Sequence, residues 1–271
     1  MKLFANFTVV ALAMCAFSSS ASAQLIIGHR GASYDAPENT ITAYKLAIEQ
    51  GADGFEGDYW LGAGGHILDL HDKDTKRVAG KKLDVTKSAF KQLRALDIGT
   101  WKDPKWHAER MPTLDEVLAI VPAGKKVFLE LKSGPELVGP MSKVIAASHV
   151  SPEQIVLISF KADAIAECKK QMPHIKALWL VSMEKKKDGT PPPSVEEVAA
   201  TLKRINADGL DAQGNPDYFN AAFIKRLSEL GCREFSVWTI DDPKVAKLYA
   251  DLGAWSITTN RPGWLREQLR K

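Results

Sequence analysis

The chain has 271 residues, with 36 Lys and Arg against 33 Asp and Glu, a formal net charge of +3. So slight an excess excludes the broad basic field that nucleic-acid binding requires, and any cationic character that matters is local. Three cysteines without a finger-like Cys/His spacing exclude a structural zinc module.

Residues 1–23 carry Lys2, an apolar run from Val9 to Phe17, and a small-residue stretch ending Ala21-Ser22-Ala23. This is the pattern of a secretory signal cleaved after Ala23, and it predicts a secreted or periplasmic protein. The apolar run is too short for a membrane anchor. Cys15 raises lipoprotein processing as an alternative, which the bulky Met14 before it disfavours. No other stretch could span a bilayer, so no stable membrane insertion is expected.

Leu25–Gly28 reads as a short buried parallel strand, running into His29-Arg30-Gly31. Thr40–Gln50 follows as a helix, with Ile41, Tyr44 and Ile48 on one face, Asn39 or Thr40 as N-cap and Gly51 as stop. Phe55–Leu61 is a second strand, whose alternation puts Glu56 and Asp58 on one face. The glycine-rich Gly62-Ala63-Gly64-Gly65 predicts a hairpin, with His66–Asp72 returning antiparallel. Lys73–Met111 is polar and irregular, with one weak helix near Ser88–Leu96, so about 62–111 reads as a functional insertion.

From Pro112 a regular rhythm sets in. Leu114, Val117, Leu118 and Val121 mark a helix. Strands are expected at Lys126–Leu131, Ile155–Phe160, Ile175–Val181, Gly209–Ala212, Phe235–Ile240 and Trp255–Thr259, with helical patterns between them. With the hairpin set aside, eight strands alternate with helices. That predicts an α/β fold, a single (β/α)8 TIM barrel over residues 24–271 with a small insertion after strand 2, rather than an open doubly wound sheet. Cys168 shares an apolar helical face with Ile165 and Met172. Whether it pairs with Cys232 is open.

Active sites of such barrels lie at the C-terminal strand ends. There stand His29 and Arg30, Glu56 and Asp58, Glu130 and Lys132, and Trp238, with His71 closing the hairpin nearby. Three converging carboxylates repel one another unless a cation lies between them, and an all-oxygen set suits Mg²⁺ or Ca²⁺. The alternative is that they are solvated, or paired with Lys132 and Arg30. His29 and His71 have the chemistry of a general acid and base, while Arg30 and Lys132 suit phosphate oxygens. Together they suggest phosphoryl-oxygen chemistry. Trp238 is either core or a wall of the substrate pocket. His66, His107, His149 and His174 read as structural.

These residues resemble the glycerophosphodiester phosphodiesterase family of the phospholipase C-like superfamily. The resemblance rests on His29-Arg30-Gly31, Pro37-Glu38-Asn39-Thr40, Gly51-Ala52-Asp53, Glu56-x-Asp58, Gly65-x5-His71-Asp72, Pro112–Leu118, Glu130-Leu131-Lys132, Ser159-Phe160 and Val237-Trp238-Thr239. It implies the barrel with its insertion, and hydrolysis of a small-molecule glycerophosphodiester to glycerol 3-phosphate and an alcohol. It also implies His29 and His71 as the acid/base pair, one divalent cation on Glu56, Asp58 and Glu130, and phosphate contacts from Arg30 and Lys132. In that family a substrate hydroxyl beside the ester attacks phosphorus before water resolves the product.

Three departures stand out. Gly57 replaces the usual aliphatic residue, Tyr59–Gly64 lacks a Thr-x-Asp-Gly turn, and Asn260 stands where Asp is common. The Lys185–Lys187 run reads as a solvated loop or as a device steering anions inward. Two other functional readings remain. One is a phospholipase acting on intact lipid, for which Tyr59-Trp60, Trp101 and Trp106 are the candidate apolar rim. The other is a non-catalytic phosphate-ligand binding protein. Oligomeric state is not legible.

Overall fold

The computed structural model describes residues 24–271, so the segment expected to be a signal lies outside the described residues. The elements in order are β1 (Leu25–Gly28), α1 (Ile41–Glu49), β2 (Gly54–Leu61), β3 (Ile67–Asp69), α2 (Lys76–Ala79), α3 (Phe90–Arg94), α4 (Leu114–Leu118) and β4 (Lys126–Leu131). They continue with α5 (Val138–Ala147), β5 (Ile155–Ser159), α6 (Ala162–Gln171), β6 (Lys176–Val181), α7 (Val195–Ile205), β7 (Gly209–Gln213), α8 (Ala221–Glu229), β8 (Phe235–Trp238), α9 (Pro243–Asp251), β9 (Ser256–Thr259) and α10 (Pro262–Leu269).

Eight strands are parallel and close on themselves. β1 pairs with β2 on one side, Ile27 opposite Gly54, and with β9 on the other, Leu25 opposite Ser256 through Gly28 opposite Thr259. This is the (β/α)8 barrel. β3 alone runs antiparallel, pairing Tyr59 with Asp69, as the glycine-rich hairpin predicts. The barrel interior is filled by Ile27, Phe128, Val156, Ile158, Leu178 and Leu180. The alternate residues of the strands pack outward under the helices, in two clusters that include Phe55, Leu129 and Leu157 in one and Leu210, Val237 and Ile257 in the other. One strand pattern thus serves two cores; the inward carboxylates of β2 and β4 stand toward the C-terminal end, and a hydrogen-bonded Ser236–Ser256 pair lies lower in the barrel.

The insertion is better organised than its composition suggests. Leu68, Leu70, Val78, Val85, Leu93, Ile98 and Met111 form a separate small core beside the barrel. Arg94 fastens this unit to α4, donating from both terminal nitrogens to Glu116 at 2.5 Å and to the Met111 carbonyl at 2.7 Å. The described cysteines, Cys168 and Cys232, are free thiols. No helix among the described residues is long and apolar enough to cross a membrane.

Candidate active site

The His29-Arg30-Gly31 turn leaves β1 with Arg30 at φ 54° and Gly31 at φ 84°, both left-handed. Glycine is required at 31 for a second reason: an added Cβ would fall 2.5 Å from the Ala43 backbone of α1. Arg30 tolerates its strained conformation because both ends are tied down. Its backbone N–H donates to Glu56 Oε2 at 2.9 Å, and its guanidinium donates to Glu38 at 2.9 Å and lies 3.4 Å from Asp58.

Alternation along β2 turns Glu56 and Asp58 into the barrel, and the β4 partner of Asp58 is Glu130. All three carboxylates are buried, and one oxygen from each lies within 4.8 Å of the others. Burial first, then Asp58 and Glu130, pushes Glu56 well above the usual carboxylate range. Burial and Asp58 push Glu130 up to about 7. Asp58 goes the other way: burial opposes ionisation, but Lys132 and Arg30 outweigh it and hold the group low. Lys132 Nζ lies 3.2 Å from Asp58 and 2.9 Å from Glu130. Two cations facing three carboxylates leave negative charge uncompensated, and an all-oxygen donor set of this span fits a divalent ion such as Mg²⁺ or Ca²⁺.

Each imidazole is held from behind. His29 Nδ1 lies 2.7 Å from Asn260 Oδ1. The amide orientation follows from the next group, since Asn260 Nδ2 donates to Asp241 Oδ2 at 2.7 Å and a carboxylate only accepts. Asn260 therefore presents its oxygen to His29, Nδ1 carries the proton, and Nε2 keeps a free lone pair. Burial, reinforced by Arg30, lowers His29 to about 4. His71 Nδ1 instead donates to the Asp72 carboxylate at 2.8 Å. Its affinity for a proton is lowered by burial, against which Asp58 and Asp72 pull upward.

His29, Arg30, Glu56, His71, Glu130, Lys132 and Trp238 all line one cavity of about 110 Å³ at the C-terminal barrel mouth. Asp58 sits just beneath, buried between Arg30 and Lys132. Trp238 walls the cavity, stacked edge-on against Phe160 with centroids 5.4 Å apart. The structure thus brings together every residue the sequence nominated for the site.

Other participants were not nominated. Thr40 is the N-cap of α1, its Oγ1 accepting from Ala43 N. That frees Asn39 to donate to Asp58 Oδ2 at 2.9 Å, and Glu38 to bind both Arg30 and Arg77. Arg77, from α2 of the insertion, also donates to Asp72 at 2.7 Å. The signals in the sequence were the Pro37-Glu38-Asn39-Thr40 motif and three polar residues in a row, of which a helix needs one as cap. Asp211 lies on the cavity wall and is 1% exposed. Burial, then Glu130, pushes its carboxyl up to about 8.

The three departures acquire physical reasons or contexts. A Cβ on Gly57 would sit 2.3 Å from the Tyr44 hydroxyl, which donates to the buried Asp69. The turn 62–65 carries Gly64 and Gly65 at φ 82° and 85°, and so fills the hairpin by glycine instead of Asp-Gly. Asn260 is backed by Asp241. The candidate apolar rim forms only in part: Tyr59 is fully buried and Trp60 donates its indole N–H to the Leu70 carbonyl under the insertion, while Trp101 is exposed and Trp106 half-buried.

Known proteins resemble this chain in sequence and fold. The chain is 33% identical over 257 residues to a glycerophosphodiester phosphodiesterase of Caldanaerobacter subterraneus, covering 91% of this chain and 98% of that one. An Oleispira antarctica phosphodiesterase, solved with its product sn-glycerol-3-phosphate, superposes with a TM-score of 0.81 at 23% identity, over 91% of this chain and 97% of that one. A glycerophosphodiester phosphodiesterase from Thermotoga maritima gives 0.70 at 21% identity, over 90% and 97%. The profile of the glycerophosphoryl diester phosphodiesterase family matches residues 29–264. The chain belongs to that family.

Proposed function

We propose that this chain hydrolyses small glycerophosphodiesters to glycerol 3-phosphate and an alcohol, with His29 as general base, His71 as general acid and a divalent cation on Glu56, Asp58 and Glu130. One observation carries the reading. Two imidazoles with unlike supports, an amide oxygen behind one and a carboxylate behind the other, share a cavity with three buried carboxylates and two side-chain cations.

The unlike supports divide the work. An amide oxygen stabilises an imidazolium less than a carboxylate does, and burial with Arg30 outweighs it, so His29 rests neutral with Nε2 free to take a proton. A carboxylate stabilises the imidazolium, so His71 is the ring suited to carry a proton to a leaving group. In the first step the substrate hydroxyl next to the ester gives its proton to His29 and its oxygen bonds to phosphorus. The P–O bond to the alcohol breaks, and His71 supplies that oxygen's proton. In the second step water gives its proton to His71 and bonds to phosphorus, the P–O bond formed in the first step breaks, and His29 returns its proton to that oxygen, so both imidazoles regain their starting state. Arg30 and Lys132 face the non-bridging oxygens and oppose the charge that builds there. The bound cation would supply further electrostatic stabilisation at the phosphoryl oxygens.

His29→Ala and His71→Ala are expected to abolish glycerol 3-phosphate release from glycerophosphocholine while circular dichroism and Tm stay near wild type. Retained turnover in either variant would remove the acid/base assignment. Hydrolysis of lipid vesicles in preference to the water-soluble diester would favour the phospholipase reading instead. We further propose a secreted or periplasmic location, supported by the sequence of residues 1–23. Fractionation of cells expressing the full chain tests it, and retention in the cytoplasm with residues 1–23 intact overturns it.

A further inference from the structure

We infer that Asp211 is a specificity residue that hydrogen-bonds the terminal hydroxyl of the substrate's glycerol unit, the hydroxyl that does not take part in the reaction. The inference rests on the proposed phosphodiesterase reading and deepens it. Asp211 stands in the middle of β7, opposite Leu180 of β6 and Ser236 of β8. Its neighbours Leu210 and Ala212 turn outward into the helix-facing core, so Asp211 turns into the barrel. There it lines the same cavity as His29, His71 and Glu130. The main chain at this point is pinned, because the Trp238 indole N–H donates to the Asp211 carbonyl at 3.1 Å.

What Asp211 lacks is a partner. Its Oδ1 is buried with no hydrogen bond among the described residues. A buried carboxyl without a partner costs stability, and a residue of this kind inside a binding cavity implies that a ligand satisfies it. The chemistry of the ligand follows from the surroundings. On its side of the cavity the apolar neighbours are Ile158, Leu180 and Trp238, and the charged group that acts on it is the Glu130 carboxylate. Arg30 and Lys132 are engaged by Glu38, Asp58 and Glu130, and their side draws the phosphate. An anion there would sit beside the Glu130 carboxylate, so a neutral hydroxyl, which can both donate and accept, is the complementary group.

Every glycerophosphodiester shares the glycerol phosphate half and varies in its alcohol. The invariant half suits the buried wall, and the variable alcohol suits the mouth, where Phe160 is 42% exposed. Of the two glycerol hydroxyls, the one beside the ester is the reacting group. The terminal one remains to be read, and Asp211 is the cavity carboxyl whose buried oxygen has no hydrogen-bond partner among the described residues.

The test compares two p-nitrophenyl phosphodiesters, one of glycerol and one of ethylene glycol. The second keeps the reacting hydroxyl and lacks only the terminal CH2OH. Their common neutral leaving group prevents any role of Asp211 in binding a cationic alcohol from moving the ratio. The wild-type protein is expected to prefer the glycerol diester in kcat/KM by on the order of 10–100-fold. Asp211→Leu should bring the glycerol diester down to the level of its analogue, leave the analogue within about twofold, and raise Tm, because an unpartnered buried carboxyl is removed. Asp211→Asn, which still hydrogen-bonds a hydroxyl, should keep most of the preference. A wild-type ratio near one overturns the inference whatever the variants do. So does a parallel fall of both substrates in Asp211→Leu, which marks a structural role. Turnover of neither diester by the wild type, with glycerophosphocholine also untouched, removes the underlying phosphodiesterase reading as well.

Discussion

Asp72 and Asn260 decide what their histidines can do, and each is testable alone. Asp72→Asn leaves a hydrogen bond to His71 but removes the charge that stabilises its imidazolium. A fall in kcat on the order of 10–100-fold with little change in KM is expected, since positioned acid catalysis contributes about that much or more. An unchanged kcat would mean that His71 does not deliver the proton. Gly57 makes a stability prediction. The Tyr44 hydroxyl occupies the space a Cβ would need, so Gly57→Val should cost about 1–3 kcal/mol or more through overpacking, read as a drop in Tm. A variant as stable as wild type would show that Tyr44 can move aside. The nominated site residues were legible because strand alternation and the strand-end rule place them without further knowledge. The site contacts of Asn39 and Asn260 and the place of Asp211 were not, for a physical reason. His29 and Asn260 are 231 positions apart, and Asp211 is informative only through the partner it lacks.

The insertion acts on the site as an element, through Arg77. This side chain donates two hydrogen bonds of 2.8 Å to Glu38 and one of 2.7 Å to Asp72, so it links the support of Arg30 to the support of His71. Arg77→Gln should therefore lower kcat/KM by on the order of tenfold, with only a small change in global stability, because surface ion pairs themselves contribute about 0–1 kcal/mol. Wild-type kinetics in that variant would make the insertion a bystander. Its anchorage to the barrel should depend on pH. Burial tends to raise Glu116, but Arg94 and the Thr113 N–H outweigh it, so its folded-state value is depressed. A depressed carboxylate stabilises the folded state above its unfolded value and loses that contribution as pH falls through the folded one. Protection of α2 and α3 against hydrogen exchange should then weaken below about pH 4 in wild type and weaken less in Glu116→Gln, where the depressed Asp72, Asp84 and Asp97 remain. The sequence made this region look irregular because Val78, Val85, Leu93 and Ile98 follow no single period. A core assembled from short helices and turns leaves no helical or strand rhythm to read. The short α10 was not foreseen although Pro262 marks its start; its Arg266 contact to Asp53 is a tertiary feature.

At the scale of the whole molecule, the regular β-α alternation from Pro112 onward made the barrel legible, and the closing pairs of β1 with β2 and β9 complete it. Near-neutral charge overall leaves local fields to guide the substrate. The exposed Lys185–Lys187 run follows β6 at the site's end of the barrel, with Glu184 beside it accepting from Gln213 at the end of β7. If these lysines steer anionic diesters, replacing all three with Gln should lower kcat/KM at low salt and leave it unchanged at high salt. An identical salt dependence in both proteins would make the loop a solvated surface. The account as a whole stands on one cavity in which two differently supported imidazoles act beside a cation-holding acidic cluster. The most direct measurement is glycerol 3-phosphate release from glycerophosphocholine by wild-type protein, before chelation, after chelation, and after return of Mg²⁺ or Ca²⁺. Activity lost on chelation and restored by one of these ions, with Glu56→Gln inactive throughout, is the expected result; full activity in strong chelator, or choline released without glycerol 3-phosphate, would contradict it.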